Sequence, residues 1–165
     1  MLRKFNYYYE LSAAEHEQVR AILERAVEQA PRSADAWAAL SMMYAEEHKH
    51  GFNVRPEPLQ RALEAARRAT VIDGANHLAR HALAQAHFFR KEFDPFRVAA
   101  ERAIELNPWD AVTVAYVGIL MGYAGDWDYA AQLTRQAPAQ PAPPRLVRLR
   151  GDLVPLPQAR VAKGP

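Results

Sequence analysis

The sequence contains no cysteine, so disulfides, thiolate metal sites and a cysteine nucleophile are excluded. Serine is almost as scarce, with Ser12, Ser33 and Ser41 alone, which leaves little material for a serine-based triad. The seven glycines are isolated along the chain, so no glycine-rich loop is present to cradle a phosphate. No uninterrupted apolar run is long enough to span a bilayer. Met1 to Glu10 is rich in Tyr and charge and lacks the apolar stretch of a secretory signal. A cytoplasmic setting is expected, and the absence of cysteine is compatible with a reducing one. Strong net charge is also missing. The formal value of +2 is carried by Pro138 to Pro165, which holds four Arg, one Lys and one Asp and leaves 16 basic against 18 acidic residues in 1–137. Such a balanced body offers no basic stripe for nucleic acid, and neither a nucleic-acid nor a membrane partner is expected.

Half of the residues are hydrophobic, which is incompatible with disorder throughout, and alanine is abundant and scattered, as closely packed helices require. The alanines carry a register. Ala26 with Pro31, Ala69 with Gly74 and Ala103 with Pro108 repeat one spacing, and Ala137 continues it without the proline. From Ala69 to Ala103 and from Ala103 to Ala137 the step is 34 residues; from Ala26 to Ala69 it is longer by nine. The other half of each unit agrees. Trp37, Leu40, Ser41 and Tyr44 are followed by Arg80, Leu83, Ala84 and His87, and then by Val114, Val117, Gly118 and Met121. Ser41, Ala84 and Gly118 form one small-residue column, where the two helices of a unit must approach most closely. Ala26, Ala69, Ala103 and Ala137 do the same on the second helix.

This pattern resembles the tetratricopeptide (TPR) repeat, whose signature includes W-x2-L-G-x2-Y over 34 residues. The resemblance covers roughly 1–137, with Ser41 in place of Gly and with Arg80 and Val114 in place of Trp. It implies an all-α fold, a TPR-like α-solenoid of stacked antiparallel helix pairs. The units are a partial repeat over 1–33, a repeat over 34–76 with a loop insertion, a repeat over 77–110, an incomplete repeat over 111–137, and a Pro/Arg-rich tail over 138–165 expected to be disordered. Met1 to Glu10 would belong to the first helix of the partial repeat, as if the chain were a fragment of something longer. The segments His50 to Pro56, Arg61 to Ala69, Ala82 to Arg90 and Tyr123 to Trp127 further resemble the C-terminal repeat regions of proteobacterial adenylate/guanylate cyclase-like proteins and winged-helix regulators. That resemblance implies a signalling or regulatory context and carries over neither cyclase nor DNA-reading residues.

Capping signals fit the same register. Ser12 with Glu15 reads as a capping box opening a helix to about Ala30, and Ser33 caps the next, to about His48. Pro56 and Pro58 suit the start of a helix ending near Gly74. Asp94 with Pro95 reads as a cap and first helical residue, for a helix stopped by Asn107 and Pro108. Gly125 and Asp126 read as a stop and a new cap, before a last helix from Trp127 to about Gln136. The nine extra residues fall around His48 to Pro58, where Gly51, Asn53 and two prolines make a loop.

Candidate chemistry is thin. His77 and His81 share a helix face at metal-like spacing, but His87 lies roughly 80° away from it, so the set lacks a third ligand. Structural or surface roles are the expected ones for these histidines, and no metal or cofactor is expected. The three tryptophans read as core or stacking residues, and no catalytic constellation emerges, so the chain is not expected to be an enzyme. The TPR resemblance instead implies a concave groove lined by the first helix of each repeat. The inward positions hold Asp35, Met42 and Glu46; Leu78, His81, Gln85, Phe88 and Phe89; and Val112, Ile119 and Tyr123. That lining is mostly apolar and aromatic, suited to an extended apolar segment or an amphipathic helix. No Lys or Arg occupies these positions, so the basic clamp by which some such domains hold a terminal carboxylate is absent.

The expected function is a protein–protein interaction scaffold, a regulatory or signalling fragment with a protein or peptide partner. The alternative is a sensory domain that binds a small apolar ligand in the groove and serves a separate output domain. Beyond Ala137 the repeat pattern stops abruptly, and seven of the 12 prolines lie in the tail. Two readings of the tail stand: a true linker, or the Arg-, Pro- and Ala-rich product of a shifted reading frame in GC-rich DNA. With no helix after Gln136, Tyr129, Ala130 and Leu133 are expected to be uncovered and to drive self-association through the C-terminal helix.

Overall fold

The computed structural model describes residues 12–52, 55–136, 146–149 and 152–155. Seven helices lie among the described residues: α1 (Ala13–Gln29), α2 (Ala34–His50), α3 (Pro58–Ile72), α4 (His77–Phe89), α5 (Phe93–Leu106), α6 (Ala111–Tyr123) and α7 (Trp127–Gln136). They pack as antiparallel pairs, α2 with α3, α4 with α5 and α6 with α7. Each first helix also lies beside the first helix of the next pair, α2 against α4 and α4 against α6, and α1 packs on α2. The fold is all-α, a TPR-like helical stack. No helix among the described residues is long and apolar enough to cross a membrane.

Local chemistry sets the helix boundaries. Ser12 accepts the Glu15 amide at 3.2 Å and its hydroxyl donates to the Glu15 carboxylate at 3.1 Å, tying down the first turn of α1. Ser33 caps α2 through the Ala36 amide. Gly51 ends that helix in the left-handed conformation with φ +67°, two residues later than His48. Asn76 and Asp110 occupy equivalent positions and cap α4 and α6 through the amides of Ala79 and Val112. α5 starts earlier than its sequence signals indicate. Phe93 is its first residue and Glu92 the cap, with no side-chain capping bond, while Pro95 sits inside the first turn, where its missing N–H costs nothing. Met1 to Glu10 lies outside the described residues.

The core is three overlapping apolar clusters. One joins α1 to α4 through Val27, Leu40, Tyr44, Ala62, Leu63 and Ala86. A second is an alanine seam of Ala38, Ala66, Ala69, Ala79 and Ala82. The third joins α4 to α7 through Ala84, Phe96, Val114, Val117, Met121 and Leu133. The small-residue column behaves as the repeat requires: Ser41, Ala84 and Gly118 are all buried, and the Ser41 hydroxyl donates across to the Ala62 carbonyl of α3 at 2.8 Å.

One expectation is corrected. Leu133 and Ala130 are not uncovered: at 3% and 9% exposure they are buried in the third cluster, and only the opposite side of α6 and α7 is open. Within the tail, Leu146–Leu149 (β1) and Asp152–Pro155 (β2) pair antiparallel, with Leu149 opposite Asp152. The alternation of apolar residues with Arg around Arg148 suits a strand. The rest of 138–165 lies outside the described residues.

Candidate functional site

The sequence-derived groove residues lie on α2, α4 and α6, and the structure divides them into two groups. Glu46, His81 and Gln85 are buried, at 5%, 6% and 3% exposure, because they stitch one first helix to the next. Gln85 donates through Nε2 to Glu46 Oε1 at 3.2 Å and to the Tyr116 hydroxyl at 2.9 Å, spanning α2, α4 and α6. Glu46 is further held by Lys49 and His50 at 3.3 and 2.9 Å. The Thr113 hydroxyl donates to Asp110, so its oxygen is left to accept from His81 Nδ1 at 2.9 Å. The Asp110 carboxyl is held below its ordinary value: burial opposes ionisation, but hydrogen bonds from Thr113 and Val112, with the nearby His77, outweigh it. At the same end Asn76 donates to Asp35 at 2.6 Å and His77 lies 3.2 Å from Asp110. His77 and His81 therefore each meet a separate group at the start of α6, the cap Asp110 and Thr113, despite their shared face.

The second group is open. Met42, Leu78, Phe88 and Phe89 are half-buried and Asp35 is exposed. Val112, Ile119 and Tyr123 of α6 are 59%, 57% and 76% exposed. Phe89 stands edge-on to His48 at 6.1 Å and to Phe88 at 5.4 Å. Beyond Ile119 and Tyr123 the surface deepens into a trough of about 430 Å³ between α6 and α7, lined by Gly118, Ile119, Gly122, Tyr123, Trp127, Ala130 and Ala131. Trp127 and Trp109, read as core or stacking residues, are 70% and 80% exposed.

Sequence reasoning also missed a buried ionic centre at the first pair. Arg20 of α1 and Glu47 of α2 are 2% and 0% exposed and meet at 3.0 Å. The other Glu47 oxygen accepts from Arg61 of α3 and from the Arg55 amide, each at 2.6 Å. Arg61 lies over the Tyr44 ring at 4.4 Å, and Arg55 reaches Glu24 at 2.9 Å. Desolvation alone would raise the Glu47 carboxyl, but the Arg55 amide, Arg61 and Arg20 hold it below the ordinary carboxylate range. Little in the sequence points to this centre: the His16 column later holds the apolar Leu59 and Phe93, but the Arg20 column holds Leu63 and then Arg97.

No family model matches the chain, and no curated protein matches it. Among solved structures, a crystal structure of MamA superposes with a TM-score of 0.55 at 18% identity, over 75% of this chain and 67% of that one. A second crystal structure of MamA protein gives 0.53 at 19%, over 75% of this chain and 63% of that one. This chain thus spans about two thirds of the length of those structures, and at such identities the likeness is one of fold.

Proposed function

We propose that this chain is a protein–protein interaction scaffold that holds an apolar peptide segment against the shared face of α2, α4 and α6. The observation that carries the reading is the row Met42, Leu78, Phe89, Val112, Ile119 and Tyr123. These apolar side chains are half-buried or exposed on helices whose buried polar residues already bind the helices to each other. Such a surface is rigid before any partner arrives, which lowers the ordering cost of binding, and a contiguous apolar face of this kind is a mark of interaction sites. Glu46, His81 and Gln85 fix its geometry rather than touch the partner. A regulatory or signalling context is in keeping with the resemblance of the His50 to Glu101 region to the repeat regions of cyclase-like and winged-helix regulators.

The test is to pan a displayed library of random peptides against the immobilised full chain. Peptides rich in apolar residues should be enriched, and Val112→Asp should weaken the best of them at least tenfold with helix content unchanged. Absence of enrichment, or binders indifferent to Val112→Asp, would sink the reading. A thermal shift produced by small apolar compounds and by no peptide would favour the sensory alternative.

A further inference from the structure

The repeat creates the same trough three times, between the two helices of each pair, and two of the three are filled. The first is floored by Ala38, Ser41 and Ala45 of α2 and Ala62 of α3, all at 0–1% exposure. α4 lies in it, with Ala79, Ala82 and Ala86 as the inserted stripe, at 0%, 1% and 0%. In the second, the same columns hold larger residues, His81, Ala84, Phe88 and Phe96. α6 covers it, bringing Leu120 and Tyr116 into one apolar cluster with Ala84, Phe88 and Phe96 and Thr113 against His81. In the third the columns return to small residues, Ala115, Gly118, Gly122 and Ala130, and no helix among the described residues lies over them. One column shows the consequence: Gln85 is 3% exposed under its cover, whereas its counterpart Ile119 is 57% exposed.

We propose that the third trough docks an amphipathic helix of a partner protein whose inserted face is a stripe of small residues spaced as Ala79, Ala82 and Ala86 are in α4. The molecule supplies the precedent for the occupant. A trough with an Ala/Ser floor takes an alanine stripe, whereas the trough holding His81, Phe88 and Phe96 takes the larger Thr113, Tyr116 and Leu120, which stand 34 positions on from Ala79, Ala82 and Ala86. The third floor belongs with the first. Its depth is limited as well, because a Cβ at Gly122 would already stand 3.2 Å from the Trp127 ring. None of the lining residues is charged, so the inserted face must be apolar, and exposed Tyr123 and Trp127 provide rims that close over it. A second copy of the chain cannot offer α4 itself, since its stripe is buried. The inference rests on the reading of the chain as an interaction scaffold and adds the partner's chemistry at the trough that adjoins that face and shares Ile119 and Tyr123 with it.

The probe is a capped, fluorescently labelled peptide with the sequence of residues 76–91, titrated against the full chain by anisotropy. Saturable binding is expected. Ala131→Glu and Trp127→Ala, both at exposed positions, should each weaken it at least tenfold, and a peptide with Leu at all three stripe positions should bind at least tenfold more weakly. Val112→Asp, about 10 Å along α6 from Ile119, should leave it unchanged. Absence of saturable binding overturns the proposal, as does binding indifferent to both trough variants, which is the result expected if the peptide displaces α4 from the first trough. Sensitivity to Val112→Asp alone also overturns it while leaving the scaffold reading intact. A dimer of the unliganded chain in sedimentation velocity, dispersed by Ala131→Glu, would make a second copy the occupant and overturn the assignment to a partner helix.

Discussion

Arg20 and Glu47 place ionised groups inside the packed first pair, with Arg61 beside them, and the energetics of that choice are lopsided. Removing such charges from water is costly, and their mutual attraction roughly offsets the cost only when every partner is present. Glu47 meets that condition, with Arg20 on one oxygen and Arg61 and the Arg55 amide on the other. Glu47→Ala strands two guanidiniums and should destabilise the fold by about 3–5 kcal/mol. Arg20→Met combined with Glu47→Leu should recover most of that loss in chemical denaturation, because Arg61, partly exposed, can turn to water. The same carboxyl gives a pH signature. Its pKa is lowered on folding, so its contribution is fully present above the unfolded value of about 4.3 and is lost as pH falls through the lower folded value. Asp110 and Glu92 are also lowered and act in the same direction. The denaturation midpoint should therefore fall on acidification below about pH 5, and Glu47→Gln should flatten that fall. An identical acid slope in Glu47→Gln would remove Glu47 from the account.

At the level of helices and their joints, the repeat was legible because it rests on residues with little freedom of choice. A large side chain at Ser41, Ala84 or Gly118 would push two helices apart, so the column is readable without coordinates. The tryptophan column shows why substitutions there did not break the register. Trp37 Nε1 donates to the Pro31 carbonyl at 3.1 Å, and Arg80, in the same column, donates through Nε to the equivalent Gly74 carbonyl at 3.2 Å. A planar N–H at the same reach replaces the indole, whereas Val114 keeps only the apolar half of the role. What was not legible depends on distant partners. Leu133 looked uncovered because the cluster that buries it, with Phe96, Val114, Val117 and Met121, is supplied by α5 and α6. The burial of Glu46, His81 and Gln85 likewise follows from contacts more than 30 residues apart. Two glycines of α6 separate these levels. Gly118→Leu overfills a buried contact and should cost ~1–3 kcal/mol. Gly122→Ala gains helix propensity of about 1 kcal/mol, and its one tight contact would be the exposed Trp127 ring at 3.2 Å, with Ala130 Cβ at an ordinary 3.7 Å. It should be neutral or stabilising in thermal denaturation and should shift the Trp127 emission. Equal destabilisation by the two would mean that α6 faces the other way.

Across the whole molecule, stability is shared unevenly, because a stack of this kind holds each pair mainly through its neighbours. Leu83 of α4 packs against all three core clusters, so α4 connects every part of the core. Leu133 belongs to the last cluster alone, and the trough between α6 and α7 lined by Ile119, Tyr123 and Trp127 is covered by no helix among the described residues. Among the described residues the first and last helices have neighbours on fewer sides and should open first, while α4 should be among the last to exchange its amides. Truncation to Ala separates the two positions. At either site the loss is of order 2–5 kcal/mol for a well-packed leucine, with Leu83, half-buried, toward the low end. The distribution of the loss should differ. Leu133→Ala should speed amide exchange in α6 and α7 and leave α2 and α3 near the wild-type rate, because the lost contacts do not reach past α4. Leu83→Ala should speed exchange along the whole stack, including α1 to α3, since it removes the one side chain common to all three clusters. Hydrogen exchange read by mass spectrometry on proteolytic fragments resolves these segments. Uniform acceleration from Leu133→Ala would mean that the chain opens as a single unit, and that the pairs do not act as separable layers joined through α4.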